Sequence, residues 1–191
     1  MSHPKYTLPT NSELGVELEL RRFGQLDRTW SGPEFNRLLG KAMAENRDDF
    51  ILALYLGRYM GLRIHECFRI DTAAAERALR ENALTVKGKG GKVRIVPIED
   101  ERNPMMLKRV LAQTERGHKL LVPDGMPTDR SINALELFIY RHRNEISDEG
   151  SDRRLTFHGL RHTYAAEKYT RLTEGGMSAI DAHYAVSRLL G

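Results

Sequence analysis

One short stretch interrupts the periodicity of the whole chain. From Ala83 to Ile98 the sequence reads ALTVKGKGGKVRIVPI, two β-branched runs joined by a Gly- and Lys-rich segment. Such runs around a glycine-rich tip specify a β-hairpin. Pro97 ends it, because proline has no N–H to give to a ladder. Wherever else a period can be read, it is helical. Ser31 and Glu34 form a capping box with Pro33 in the first turn, ahead of Phe35, Leu38, Leu39, Ala42 and Met43 at helical spacing. RDDFILALYLGRYMGL is a second helix, capped by Asp48 or Asp49 and closed by Gly61. RIHECFRID is a short helical piece and TAAAERALREN a strong helix former. NPMMLKRVLAQTER, SINALELFIYRHRNEIS, TFHGLRHTYAAEKY and MSAIDAHYAVSRLL complete the set. The fold class is therefore mainly α with a small antiparallel β-sheet (α+β). Residues 1–29 show no sustained period and carry Pro4, Pro9, Gly15 and Gly24, which marks a linker or N-terminal arm; residues 30–191 form one domain.

At 191 residues, 40% hydrophobic and 29% charged, the chain has enough apolar surface for one real core. The single cysteine, Cys67, excludes an internal disulfide framework and suits a reducing compartment. The longest apolar run, FILALYLG, is too short to span a bilayer, and MSHPKYTLPT lacks the apolar segment of a signal peptide. The expectation is a cytoplasmic protein with no membrane partner. Net charge is +4, a mild excess. Its distribution says more, because Lys87, Lys89, Lys92 and Arg94 crowd the hairpin with no acid to offset them.

Two further stretches concentrate charge. In GLRIHE, Arg63 follows a helix-ending glycine and Glu66 lies one turn on; taken alone, this is an ordinary surface i,i+3 pair. A lysine at the hairpin tip is, equally, an ordinary guard against edge-to-edge pairing. HGLRH is harder to explain in that way. His158 and His162 at i,i+4 could hold a metal, yet no convincing third ligand accompanies them. Leu160, Tyr164 and Ala165 indicate that the same helix buries much of its surface, and Arg161 near that interior is costly without an anion. A phosphodiester site explains all three stretches together. Arginine forks grip phosphate oxygens, a helix N-terminus at His158 adds free N–H groups, and a lysine on a flexible hairpin can protonate a leaving oxygen.

GLRIHE, VKGKGGKVRIVPI and FHGLRHTYA, in this order from Gly61 to Ala165, closely resemble the tyrosine recombinases, the phage-integrase type of site-specific DNA recombinase. The resemblance continues into VSRLLG at the end of the chain. It implies the DNA breaking-rejoining catalytic-domain fold for residues 30–191, incomplete at its C-terminus, and double-stranded DNA as partner. It implies recombination or integration through a 3′-phosphotyrosyl intermediate in a full-length enzyme that assembles as a tetramer on DNA. Carried over by motif, Arg63, Lys89, His158 and Arg161 are the catalytic set. The two arginines grip the scissile phosphate, and Lys89 is the acid for the departing 5′-oxygen. Lys87, Lys92 and Arg94 are expected on DNA, with Glu66 and His162 as supporting residues behind the catalytic set. No metal and no other cofactor is implied.

Three features depart from the family pattern. His65 stands where a small hydroxyl residue is usual, and DTAAAERALREN is an Ala-rich link. The nucleophilic tyrosine would follow the LLG segment, beyond Gly191. Tyr164, Tyr169 and Tyr184 all precede that segment and read as core residues. By itself the chain is thus expected not to cleave DNA. The alternatives are a non-catalytic DNA-binding relative of the same fold, a type IB topoisomerase-like enzyme, and a metal-binding module at His158 and His162.

Overall fold

A computed structural model describes residues 27–88 and 91–191. Among the described residues, eight helices and one hairpin follow one another as α1 (Gly32–Ala44), α2 (Asp48–Met60), α3 (Ile64–Cys67), α4 (Thr72–Glu81), β1 (Ala83–Lys87), β2 (Val93–Pro97), α5 (Arg102–Leu111), α6 (Thr128–Ile146), α7 (Phe157–Glu174) and α8 (Ala179–Leu190). The strands pair antiparallel, with Leu84 opposite Val96 and Val86 opposite Arg94. This is the α+β class expected from the periodicity.

The capping box of α1 forms as expected: Ser31 accepts from the Glu34 amide at 3.2 Å and Glu34 accepts from the Ser31 amide at 2.9 Å. The start of α2 differs. Its N-cap is Arg47, whose side chain makes no cap bond; Asp48 and Asp49 lie inside the first turn. There their charges favour the positive helix end. Asp49 accepts both Nε and Nη2 of Arg47, and Asp48 accepts Nε of Arg109 at 2.7 Å, so neither carboxylate is left for capping.

α2 is apolar on every face, and residues Phe50 to Leu56 are all buried. A helix of that kind has to be surrounded. α7 and α5 pack along it and α1 covers a further side. Truncating a fully enclosed side chain such as Leu52 or Leu54 would cost about 2–5 kcal/mol.

The end of α2 leads straight into the charged stretch. Gly61 adopts φ 63°, a left-handed cap. A Cβ there would also come within 2.5 Å of the Tyr164 ring on α7. The glycine therefore satisfies two constraints: it stops the helix, and it lets α7 approach closely enough to deliver Arg161.

Candidate active site

Arg63 is the N-cap of α3, where extended backbone angles turn the chain out of α2 and set the guanidinium beside Glu66. Glu66, whose side chain has no exposed surface, accepts the Arg63 amide at 2.8 Å and Arg63 Nη1 at 3.2 Å. Its carboxylate also takes both terminal nitrogens of Arg94, at 2.8 and 2.7 Å. Burial alone would lift the Glu66 pKa, but hydrogen bonds from Arg94 and from the Arg63 amide outweigh it and pull it down to about 2.

Arg161 arrives from the second turn of α7 and is 7% exposed. Nη1 donates to the Gly61 carbonyl at 2.5 Å and Nη2 to the Leu190 carbonyl at 2.7 Å. Burial, and then the nearby charge of Arg63, lower its pKa to about 10. A guanidinium in that state gains from an incoming anion. Arg63 Nη2 reaches the next carbonyl, Gly191, at 2.9 Å, and Arg94 Nε takes that of Leu189 at 2.9 Å. Three arginines from three distant segments thus converge on consecutive carbonyls at the negative end of α8.

His158 sits in the first turn of α7, whose N-cap Thr156 accepts the Gly159 amide at 3.3 Å. Its ring meets that of His162 edge to face, with centroids 4.7 Å apart. Burial, then His162, then Arg161 hold the His158 pKa below its ordinary value; burial, then Arg28, does the same for His162. Both rings are therefore poised to gain a proton when an anion offsets the surrounding charge. Gly159 is required between them: a Cβ would come within 2.5 Å of the Arg28 carbonyl and 2.7 Å of the Trp30 indole nitrogen. Trp30 is buried and donates that nitrogen to the Thr156 carbonyl at 2.9 Å, pinning the chain before α1 across the start of α7.

Arg63 and Arg161 are accordingly brought together on adjacent carbonyls, with Glu66 behind Arg63, and His158 lies near enough to feel the charges of both arginines. Lys89, expected at the hairpin tip, lies outside the described residues, as do residues 1–26 of the expected N-terminal arm. Lys87 and Lys92 flank the tip and are exposed. Arg94 departs from expectation. It was expected on DNA, but its side chain is only 9% exposed and all three guanidinium nitrogens are engaged by Glu66 and Leu189. Its place in the strand register turns it inward beneath the hairpin, opposite buried Val86. Among the tyrosines, Tyr164 is core and burial raises its pKa to about 12; Tyr184 at 62% and Tyr169 at 36% exposure are surface residues instead.

The family model described as "Phage integrase family" matches residues 33–184. The chain belongs to the phage integrase family. Solved structures agree in fold. The XerA recombinase crystal structure matches with a TM-score of 0.61 at 20% identity, covering 95% of this chain and 62% of that one. The Tn1549 transposon integrase, solved in complex with circular intermediate DNA, matches with a TM-score of 0.56 at 16% identity over 90% of this chain and 59% of that one. The integrase from mycobacterium phage Brujita matches with a TM-score of 0.52 at 16% identity over 95% and 64% respectively. The chain spans about three fifths of the length of these proteins. No curated protein matches it in sequence. Among the described residues, no helix is long and apolar enough to cross a membrane.

Sequence reasoning missed several basic residues around the integrase motifs. Arg28 and Arg154 line a cavity of about 460 Å³ together with His158 and Thr156. Arg188 lines another of about 370 Å³ with Arg63, Lys92 and Arg94. Arg188 lies in VSRLLG, so its motif position was a usable signal. Arg28 offered none, because it stands in a stretch without periodicity and is placed by the docking of Trp30.

Proposed function

We propose that this chain is the phosphate-binding part of a DNA strand-exchange enzyme and that Arg63, Arg161 and His158 grip the scissile phosphodiester. The observation that carries this reading is the convergence of Arg63 and Arg161 on adjacent carbonyls, Gly191 and Leu190, with the Glu66 carboxylate bonded to Arg63. Arginines that collect backbone carbonyls at 2.7–2.9 Å can take phosphate oxygens with the same forks, with more gain because the oxygens are charged. As the phosphorus becomes five-coordinate its equatorial oxygens gain charge, and cations already in place stabilise it without reorganising.

In the full-length enzyme a tyrosine oxygen attacks phosphorus, the bond to the 5′-oxygen breaks, and a 3′-phosphotyrosyl link forms. Lys89 delivers the proton that leaves a free 5′-hydroxyl. The link conserves the bond, so a second strand's 5′-hydroxyl reseals it without ATP. Lys87 and Lys92 contact neighbouring phosphates. The catalytic assembly is a tetramer on duplex DNA, in the cytoplasm. His162 orients His158 by ring contact and stays off the phosphate.

The test uses the full-length enzyme and a duplex nicked beside the scissile phosphate. A covalent, protease-sensitive adduct at the 3′ end is expected, and Arg161→Lys should abolish most of it, because an ammonium cannot reproduce the fork. Duplex binding without any adduct would favour the non-catalytic relative. Relaxation of supercoils without paired sites would favour the topoisomerase-like enzyme.

A further inference from the structure

We propose that Arg94 is a positioning residue for the phosphate site: it binds no DNA, and it holds Arg63 and the base of the Lys89 hairpin in register through Glu66. The inference rests on the reading of Arg63 as a phosphate ligand.

Four observations support it. Glu66 is fully enclosed, and a carboxylate so placed needs a cation that does not leave. Arg94 supplies two of its four hydrogen bonds, at 2.8 and 2.7 Å, the Arg63 amide a third at 2.8 Å and Arg63 Nη1 a longer fourth at 3.2 Å. The carboxylate is thus oriented by Arg94 and in turn orients Arg63. Gly88, immediately before Lys89, lies against the same pair: a Cβ there would be 3.5 Å from both Arg94 Nη1 and Glu66 Oε1. Its amide closes the hairpin base on the Lys92 carbonyl at 2.8 Å. Arg94 Nε, finally, holds the Leu189 carbonyl, next to the carbonyls on which Arg161 and Arg63 rest. One buried guanidinium therefore joins α3, the hairpin and the end of α8, the three parts whose relative placement defines the site.

Lysine could not replace it. A single ammonium cannot span both carboxylate oxygens and a carbonyl on the far side of the group. A mere structural pair and a positioning pair both lose stability on substitution. Only the positioning pair makes the contribution of Arg63 depend on Arg94, although no hydrogen bond joins the two side chains directly.

The experiment is a double-mutant cycle on binding of a fluorescent duplex by the 191-residue chain at low salt. In the wild-type background, Arg63→Ala should weaken binding about tenfold, the worth of one charge-assisted contact. In the Arg94→Met background the same change should cost less than about twofold, because Arg63 is already displaced. Arg94→Lys should behave as Arg94→Met does. Arg154→Ala, at the other end of α7's approach, should weaken binding equally in both backgrounds. If Arg94→Met does not fold, the cycle is run in Glu66→Leu/Arg94→Met, where an apolar pair replaces the ions. An unchanged effect of Arg63→Ala in the Arg94 backgrounds overturns the positioning role. An Arg94→Met loss that simply adds to that of Arg63→Ala means that Arg94 touches DNA itself, and also overturns it. No effect of Arg63→Ala even in wild type would instead overturn the phosphate reading on which the inference stands.

Discussion

Two regions of this molecule are built from the same device. At the start of α1 and at the start of α3, a fully enclosed glutamate in the third helical position accepts the amide of its N-cap; at α1 Ser31 returns the bond and closes a capping box, whereas at α3 Arg63 has no acceptor to return it. Each glutamate then takes an arginine from far along the chain. Arg153 reaches Glu34 at 3.0 Å, and Arg94 reaches Glu66 at 2.7 Å. They differ in what surrounds the pair. Around Glu34, Arg153 also meets Asp148 at 3.2 Å and Asp27 at 3.6 Å, and Asp148 takes Arg37 at 2.5 Å. Acids there outnumber or match the cations, and the network closes on itself. Around Glu66 stand Arg63, Arg94 and Arg161, and one carboxylate cannot balance three guanidiniums. Backbone carbonyls take up the remainder. A buried Arg–Glu pair by itself is a fastening; the surplus of cations beside it is what makes a site for an anion.

The comparison breaks most visibly if each glutamate is neutralised. Glu66→Gln leaves three unbalanced arginines and should cost about 3–5 kcal/mol in urea unfolding, whereas Glu34→Gln should cost about 2 kcal/mol, because Asp148 and Asp27 still hold Arg153. Equal losses would remove the distinction. Acid should reproduce part of the larger effect. The Glu66 pKa falls from 4.5 unfolded to about 2 folded, so its contribution is complete above about pH 4.5 and disappears as pH drops toward 2. The stability gap between wild type and Glu66→Gln should therefore narrow by about 3 kcal/mol across that window. A gap that does not change with pH would mean that the folded carboxylate is not depressed.

Inorganic phosphate sharpens the contrast with a smaller effect. At about ten times its dissociation constant it should stabilise the wild-type chain by about 1.4 kcal/mol in thermal unfolding. Arg161→Met should abolish that increment and Arg153→Met should keep it. Stabilisation that survives Arg161→Met would place the anion elsewhere.

Much of this was legible in the sequence, for identifiable reasons. The helices of the core and the hairpin announce themselves through period and cap chemistry, and Ser31, Glu34 and Gly61 perform the roles their types suggest. The glycine-bearing motifs around Arg63 and Arg161 also signal the close packing of those segments, since Gly61 and Gly159 each allow an approach that a Cβ would obstruct. What escaped depends on contacts distant in the chain. Asp48 and Asp49 have the chemistry of caps, but long-range and local arginines claim them. Arg94 stands among lysines that face outward, and only the strand register with β1 turns it toward Glu66. Tyr184 occurs in an apolar helix yet lies on its uncovered side.

The most direct test follows the side-chain Nε–Hε signals of Arg63, Arg161 and Arg153 by NMR while a short DNA duplex is added at low salt. Arg63 and Arg161 should shift together along one binding curve while Arg153 stays still. Unmoved Arg63 and Arg161 signals at saturating DNA, with changes confined to surface lysines, would contradict a phosphate held between them.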